Sequence, residues 1–313
     1  MRIVFMGSAE IACHSLDALL KADGVEVVAV VTQPDRCRGR NLRMCACPAK
    51  EHVAGIDIDV FSPRSINTPE SLERLRGWKP DLIVVMAYGQ ILKPQVLNAA
   101  PLGCINVHTS LLPAYRGAAP IQWAIAGGES RTGVTIMQMD EGMDSGAIIL
   151  QRSIDIGADE TAGELHDRLG PLGAELLVQA VREIRCGCAE RTPQDDALVT
   201  YAPKLSKRDG EIDWHMAVRD IHNRVRGFNP WPCCYCHVPD RKHSTLRVLR
   251  AAEESGDGIP GEVLDVKGAG PLVACGGGAL RLLNVQPEGK RVMTGREYIC
   301  GHALQVGEIL KDK

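Results

Sequence analysis

The sequence contains no long hydrophobic run. Its longest uninterrupted apolar stretch, about residues 82–87, is far shorter than the roughly 18 residues that a membrane-spanning helix requires. Residues 1–6 are too few for the hydrophobic core of a signal peptide. Repeats and low-complexity tracts are absent too, and 45% hydrophobic with 24% charged residues over 313 positions excludes a disordered, collagen-like or coiled-coil chain. We therefore expect a soluble, cytoplasmic protein without a membrane segment, made of one large or two ordinary globular domains.

The glycine-rich signatures of nucleotide-binding loops are also missing. The first predicted strand ends in Gly7-Ser8-Ala9-Glu10, and neither GxGxxG nor GxxxxGK[ST] is present, so NAD or ATP binding is not expected. Gly7 is predicted to serve a tight strand-to-helix turn. The acid-rich loop 140–146 lacks the DxDxDG order and the distal Glu of a calcium loop, so calcium is not expected either.

The twelve cysteines do not form a recognisable zinc motif. Cys233 and Cys236 make the only CxxC, so a paired zinc knuckle lacks its second half. In a chain of this size without an export signal we expect reduced thiols and no metal site.

The two ends of the chain differ in charge. From Lys204 onward there are 17 Lys+Arg against 14 Asp+Glu, a net charge of +3, whereas the 19 basic and 25 acidic residues before it give −6. A basic C-terminal module is compatible with a polyanion partner, although an ordinary solvated surface explains the same charge.

Short apolar runs bounded by turn residues predict buried strands, and they alternate with stretches of helical spacing. This alternation is typical of a mostly parallel sheet covered by helices, so we predict a Rossmann-like α/β domain over residues 1–185. The predicted strands are 3–6, 25–31, 82–86, 104–107 and 133–139, and the predicted helices are 11–20, 69–75, 94–99, 120–126 and 162–185.

The pattern changes after this domain. Residues 186–203 are polar and lack periodicity, which predicts a linker. In residues 204–313 a short predicted helix precedes short β-rich runs separated by Gly and Pro, which predicts a small, OB-like β-barrel domain.

Polar side chains end the predicted strand 104–107. Side chains alternate along a strand, so Asn106 and His108 project from the same face, at the carboxyl edge where parallel sheets bind ligands. An amide donor beside an imidazole suits a reaction that develops oxyanion charge and moves a proton. Asp144, in the loop after the next strand, is placed to orient His108 or accept a proton. The alternative is that Asn106 caps the loop, His108 is a structural histidine and Asp144 a turn residue.

The run from Asn106 through Arg116-Gly117, followed by Asp144-Ser145-Gly146, resembles the folate-dependent formyltransferases. Their active site is an Asn, a His and an Asp, and SLLPxxRG is their signature. The resemblance covers nearly the whole chain. Six further segments are similar to the branch of the family that formylates charged initiator tRNA: QPDR at 33–36, MAYG at 86–89, VTIMQMD at 134–140, 201–207, RGFNPWP at 226–232 and VQPEGK at 285–290.

The resemblance implies a one-carbon transferase of translation initiation. It would move a formyl group from 10-formyltetrahydrofolate to the α-amino group of methionyl-initiator tRNA, without a metal and as a monomer. Asn106, His108 and Asp144 are the implied catalytic residues. The implied folate-binding residues are Ser110, Leu111, Leu112, Pro113, Met86, Ala87, Tyr88, Gln90, Ile91, Leu92 and Asp140.

A basic loop is the implied contact with tRNA. Residues 32–50 carry five basic side chains against one acid, and Arg40 falls at the family's characteristic arginine. Without the resemblance, a solvated charged loop is the simpler reading. The implied tRNA-binding residues are Arg36, Arg38, Arg40 and Arg43 in this loop and Lys204, Lys207, Lys290 and Arg291 in the C-terminal module.

Two alternatives stay open at the level of sequence. A sugar-nucleotide formyltransferase or a formyltetrahydrofolate hydrolase-type enzyme shares the catalytic trio, and the arginine-rich loop argues against both. A non-catalytic RNA-binding protein with a decayed formyltransferase domain is the other alternative, and the intact trio argues against it.

Overall fold

The computed structural model describes residues 1–38, 43–239, 245–301 and 304–311; the side chains of Arg38 and Arg43 lie outside this description. The strands are β1 Arg2–Gly7, β2 Glu26–Val31, β3 Arg36–Arg38, β4 Arg43–Cys45, β5 Asp59–Phe61, β6 Leu82–Met86, β7 Cys104–His108, β8 Arg116–Gly117, β9 Arg131–Gln138, β10 Ile148–Asp155, β11 Tyr201–Ala202, β12 Cys234–His237, β13 Thr245–Glu254, β14 Val263–Asp265, β15 Leu272–Cys275, β16 Gly278–Pro287 and β17 Met293–Thr294. The α-helices are α1 Glu10–Leu20, α2 Pro48–His52, α3 Pro69–Gly77, α4 Pro94–Leu97, α5 Pro120–Ala126, α6 Ala162–Cys186, α7 Val218–Gly227 and α8 Gly295–Gly301, and the 3-10 helices are Asp196–Leu198 and Lys207–Gly210.

The chain packs into two compact units. Unit 1 comprises Met1–Gly117, Arg131–Ile154 and His166–Ala202, and unit 2 comprises Ala118–Ser130, Asp155–Leu165 and Pro203–Lys313. The units are thus interleaved in sequence. The linear division at residues 185 and 203 stays a prediction.

The main sheet of unit 1 has the order β10-β9-β7-β6-β1-β2-β5 within the described residues. β1 pairs in parallel with β2 and β6, and β6 pairs in parallel with β7. β9 then runs antiparallel to β7. Because β6 and β7 are parallel, their carboxyl ends lie at the same edge of the sheet. Strand order reverses beside β1, and open α/β sheets place their ligands at the carboxyl edge beside such a reversal.

The central strand β6 is fully apolar. All five residues of β6 are buried, as its continuous LIVVM run requires. On one face, Ile83 and Val85 pack in a cluster with Leu75 of α3 and with Val96 and Leu97 of α4. This packing holds the central strands in place, so the polar residues at their carboxyl ends have fixed positions.

The last residue of β1, Gly7, is a glycine because its surroundings leave no room for a side chain. A Cβ on Gly7 would lie 2.9 Å from the carbonyl oxygen of Met86 and 2.7 Å from Cε1 of Phe5. Close approach to the neighbouring strand therefore explains this glycine.

Unit 2 is built on an antiparallel sheet with the order β12-β13-β16-β15-β14, to which β17 adds on β16. The C-terminal segment bonds to both edges of this path: Lys311 exchanges two backbone hydrogen bonds with His237 of β12, and the Glu308 carbonyl accepts one from the Val263 N–H of β14. A core that includes Trp214, Phe228 and Leu280 fills its interior.

The predicted fold class, a mostly parallel α/β domain followed by a β domain, is confirmed. Several elements were not predicted: β10, β12, and, within the predicted linker, β11 and the 3-10 helix Asp196–Leu198. A disulfide joins Cys186 and Cys188, so the expectation of reduced thiols is wrong for this pair; none of the other ten cysteines is part of a disulfide. Among the described residues, no helix has the length and apolar character needed to cross a membrane.

Candidate active site

Asn106 and His108 lie near the end of β7, in the middle of the sheet of unit 1. Asn106 stands opposite Val85 on β6 and Met137 on β9, and His108 stands opposite Thr135. The two-residue spacing places both side chains on one face of the strand. Neighbouring strands on both sides therefore fix their positions.

His108 is held from both sides of its ring. The residue is 6% exposed, and its Nε2 lies 3.0 Å from the carbonyl oxygen of Tyr115. A carbonyl only accepts, so Nε2 carries a proton in this contact and acts as the donor. Nδ1 lies 3.7 Å from Oδ2 of Asp144. The carboxylate is too far for a direct hydrogen bond.

Asp144 has a backbone conformation that costs energy for a non-glycine residue. Its φ of 52° lies in the left-handed region. The Gly117 N–H donates to Asp144 Oδ2 at 2.9 Å, which ties the carboxylate to the segment that also supplies the Tyr115 carbonyl. Non-glycine residues persist in this region where surrounding contacts hold them, and such positions cluster at functional sites.

The amide of Asn106 has no hydrogen-bond partner among the described residues of the chain. The side chain is half-buried, so its donor and acceptor are partly withdrawn from water. The structure thus brings Asn106, His108 and Asp144 to one edge of the sheet. An amide donor, an imidazole and a carboxylate together are suited to stabilising charge on an oxygen and to moving a proton.

Two polar side chains that the sequence did not single out, Thr135 and Gln151, hold the loop after β7 by hydrogen bonds. The hydroxyl of Thr135 donates to the Ser110 carbonyl at 2.7 Å and accepts from the Leu112 N–H at 3.1 Å. Gln151 donates to the Leu112 carbonyl at 2.7 Å and to the Thr135 hydroxyl at 2.9 Å. Thr135 lies inside the apolar run that predicts β9, and a polar side chain within such a run is the sequence signal that would have singled it out. In the structure it is fully buried, where a hydroxyl needs hydrogen-bond partners.

The four residues expected to touch folate after β7 follow the catalytic strand directly. Ser110 is fully buried and donates its hydroxyl to the Ala114 carbonyl at 2.6 Å. Leu112 is buried, while Leu111 and Pro113 are half-buried.

The residues expected at the end of β6 divide into a buried and an exposed group. Met86, Tyr88 and Leu92 pack in the core of unit 1, and Gln90 hydrogen-bonds to the Ile66 N–H at 2.9 Å. The exposed positions are Ala87, with a φ of 47°, and Ile91, which is 86% exposed. Asp140 lies in the Asp144 loop, where it accepts hydrogen bonds from Gly142 and Ser145.

The basic loop begins with a short hairpin of β3 and β4. Arg36 is exposed and donates to the Gln33 side chain at 3.0 Å. Asp35 pairs with Lys50 at 2.8 Å, so the one acid of the loop is already matched. Arg38 and Arg43 face each other in the hairpin register, their side chains lying outside the description, and Arg40 lies outside the described residues.

The basic candidates of unit 2 are all exposed. Lys204 and Lys207 precede α7, whereas Lys290 and Arg291 lie in the turn between β16 and β17. Arg291 pairs with Glu297 at 2.9 Å, which offsets its charge. Groups of three or more His, Cys, Asp or Glu side chains placed to hold a metal ion are not found in the part of the chain that the structure describes.

Comparison with known proteins identifies the family of this chain. The formyl transferase family model matches residues 1–181, and the model of the formyl transferase C-terminal domain matches residues 204–303. Methionyl-tRNA formyltransferase of Citrifermentans bemidjiense is 47% identical over 313 residues, covering 100% of this chain and 97% of that protein. Methionyl-tRNA formyltransferase of Syntrophus aciditrophicus is also 47% identical, over 98% of each chain.

Solved structures share the fold at lower identity. An N-formyltransferase from Helicobacter canadensis, crystallised with folinic acid and dTDP-3-aminofucose, superposes with a TM-score of 0.65 at 19% identity, over 90% of this chain and 98% of that chain. HypX from Aquifex aeolicus in complex with tetrahydrofolic acid has a TM-score of 0.63 at 17% identity, over 98% of this chain and 48% of that chain. Matches of both family models and full-length identity of 47% to the curated relatives lead to one conclusion: the chain belongs to the methionyl-tRNA formyltransferase family.

Proposed function

We propose that this protein transfers a formyl group from 10-formyltetrahydrofolate to the α-amino group of methionyl-initiator tRNA. The observation that carries the proposal is the meeting of Asn106, His108 and Asp144 at the carboxyl edge of β7. Full-length identity of 47% to proteins named for this activity supports the choice of acceptor. Bound folate would supply an activated formyl carbon, and the protein would supply position, charge and a path for a proton.

Asn106 and His108 are assigned to the oxygen of the formyl group. As the neutral amine attacks the carbon, negative charge grows on this oxygen, and preorganised donors stabilise it. The Asn106 amide is free to donate. His108 uses Nε2 on Tyr115, which leaves Nδ1 as its donor in the charged form. In that form the ring faces the Asp144 carboxylate, whose Oδ2 lies 3.7 Å from Nδ1.

Asp144 is assigned to the proton that the amine loses. Its Oδ2 accepts from Gly117, so we assign Oδ1 as the atom that receives the proton, directly or through a water molecule. The amine forms a C–N bond to the formyl carbon, the C–N bond to the folate nitrogen breaks, and the proton that Asp144 takes from the amine passes to that departing nitrogen. The carboxylate and the imidazole therefore end each turnover in the states in which they began.

The folate would lie along the edge formed by the ends of β6 and β7. The segment after β6 offers the exposed Ala87 and Ile91, with Met86, Tyr88 and Leu92 packed as a rigid base beneath. On the other side the loop 110–113 is held by Thr135 and Gln151. A pocket of backbone polar groups and apolar side chains is typical of small-molecule sites.

Formylation of charged tRNA tests the proposal directly. Incubation with methionyl-initiator tRNA and 10-formyltetrahydrofolate should yield formylmethionine after deacylation. Replacing Asn106, His108 or Asp144 with Ala should lower the rate by roughly 100-fold or more in protein that keeps its circular dichroism spectrum. Formylation of a dTDP-amino sugar but not of tRNA would contradict the assigned acceptor, and near-normal turnover of folded Asn106→Ala would remove Asn106 from the mechanism.

Basic side chains in both units are assigned to the tRNA. Arg36, Arg38, Arg40 and Arg43 would contact phosphates near the acceptor end. The C-terminal unit would add Lys204, Lys207, Lys290 and Arg291. Binding should then weaken steeply with salt, because phosphate contacts gain affinity from counterion release.

A single charge replacement separates tRNA recognition from folate binding. Arg40→Ala should raise the tRNA concentration needed for half-maximal rate and leave folate titration unchanged. The matched control is Lys21→Ala, which removes one exposed positive charge at the end of α1. Equal losses for both ligands would indicate a folding defect, and no loss for tRNA would contradict the assignment of the loop.

A further inference from the structure

Gln194 lies in the polar segment between α6 and β11 and reaches the loop that carries Asp144. Its Nε2 donates to the carbonyl oxygens of Asp144 and Gly146, both at 2.8 Å. Its Oε1 accepts from Nε of Arg116 at 3.0 Å and from Nη2 of Arg116 at 2.8 Å. One side chain therefore joins the Asp144 loop to β8.

The chemistry of the neighbours fixes the orientation of this amide. A guanidinium only donates, so the atom facing Arg116 is the oxygen, and carbonyls only accept, so the atom facing Asp144 and Gly146 is the nitrogen. Both amide hydrogens and both oxygen lone pairs of Gln194 are used. A saturated amide holds its partners at fixed distances, because any displacement breaks one bond in order to keep another.

Arg116 ties the same network to the other side of the active site. It is 6% exposed, and besides Gln194 its guanidinium contacts Asp196 at 3.2 Å. The residue before it supplies the carbonyl that holds His108 Nε2, and the residue after it supplies the N–H that holds Asp144 Oδ2. The Gln194–Arg116 pair thus connects the two segments that set the 3.7 Å separation of His108 and Asp144.

We propose that Gln194, acting through Arg116, is a positioning residue that holds Asp144 against His108. The backbone of Asp144 is in the left-handed region, with a φ of 52°, and the two Gln194 bonds clamp the carbonyls of Asp144 and Gly146 around it. Without the clamp the loop is free to relax toward a commoner conformation that withdraws the carboxylate. The inference rests on the proposed function for the role of Asp144.

Gln194→Glu tests the clamp with a side chain of nearly the same shape. A carboxylate still accepts from Arg116, so the buried cation keeps a partner. It has no N–H, and it sets a negative oxygen against the two loop carbonyls. We expect kcat to fall by about 10- to 100-fold, with KM for folate and for tRNA within about twofold of the parent, since misplacing a reacting group costs rate rather than binding.

The pH dependence provides a second readout. Glutamic acid regains one O–H donor on protonation, and its ordinary pKa is about 4.3. The rate of Gln194→Glu relative to the parent should therefore rise as the pH falls from 8 toward 5. A loss caused by general destabilisation would stay constant or grow as the pH falls.

Gln95→Glu is the matched control, because Gln95 is exposed on α4 and receives the same chemical change. Its kcat should equal that of the parent. Amide hydrogen exchange of residues 142–146 follows the loop without any reaction, and it should accelerate in Gln194→Glu even if the acceptor is not tRNA. Unchanged exchange, or a kcat equal to that of the parent, overturns the inference, whereas an inactive parent with faster exchange in the variant contradicts only the proposed function.

Discussion

Thr135→Val offers a sharp test of how the loop beside the active site is held. Valine has nearly the shape of threonine, so the change leaves no cavity, but it removes the hydroxyl. That hydroxyl bonds to the Ser110 carbonyl, the Leu112 N–H and the Gln151 amide at 2.7, 3.1 and 2.9 Å. The residue is fully buried, so water does not take over these bonds without local rearrangement.

The expected cost follows from these partners. Three lost hydrogen bonds contribute about 1 kcal/mol each, and buried groups left without a partner raise the cost further, so we expect a loss of about 3–5 kcal/mol. Gln151 keeps its bond to the Leu112 carbonyl, which limits the damage. Thr135→Ser retains the hydroxyl and loses only one methyl group, for about 1 kcal/mol.

Urea unfolding of the parent and both variants measures these differences, and hydrogen exchange in β7 and β9 assigns them to unit 1, since two units need not unfold together. The more apolar valine should be the less stable variant. A Val variant at least as stable as the Ser variant would refute the claim that the hydroxyl holds the loop, whatever its effect on activity.

Two further predictions use the crowded and the buried positions of unit 1. Gly146→Ala should abolish most activity and destabilise the protein, because its Cβ would meet the Gln138 carbonyl oxygen. The control Gly77→Ala, with open space around its Cβ, should change the unfolding midpoint little. Equal effects of both substitutions would contradict this reasoning. Cys104 should react with iodoacetamide at pH 8 at least about 100-fold more slowly than the exposed Cys37 and Cys300, because burial raises the pKa of the Cys104 thiol to about 12. Mass spectrometry measures the labelling of each cysteine. Comparable rates for Cys104 and the two exposed cysteines would show that Cys104 is accessible.

Local sequence pattern was sufficient for the parts of the molecule whose structure depends on neighbouring residues. The continuous apolar run of β6 predicted a central strand, and all five of its residues are buried. The two-residue spacing of Asn106 and His108 predicted a shared face at the end of a strand, and β7 pairs in the register that this requires. The motifs around them were specific enough to predict the family.

Tertiary structure alone decided which remote residues meet. Asp144 reaches His108 because β9 runs antiparallel to β7 and because the backbone of Asp144, in the loop after β9, is in the left-handed region. Neither feature produces a periodic pattern in the sequence. Gln194 lies in a polar segment whose sequence predicts a linker, yet its amide completes the hydrogen-bond network around Asp144. Hydrophobic periodicity reports which face of an element is buried; the partner of a single polar side chain depends on loop conformation and on contacts between distant segments, which no local pattern encodes.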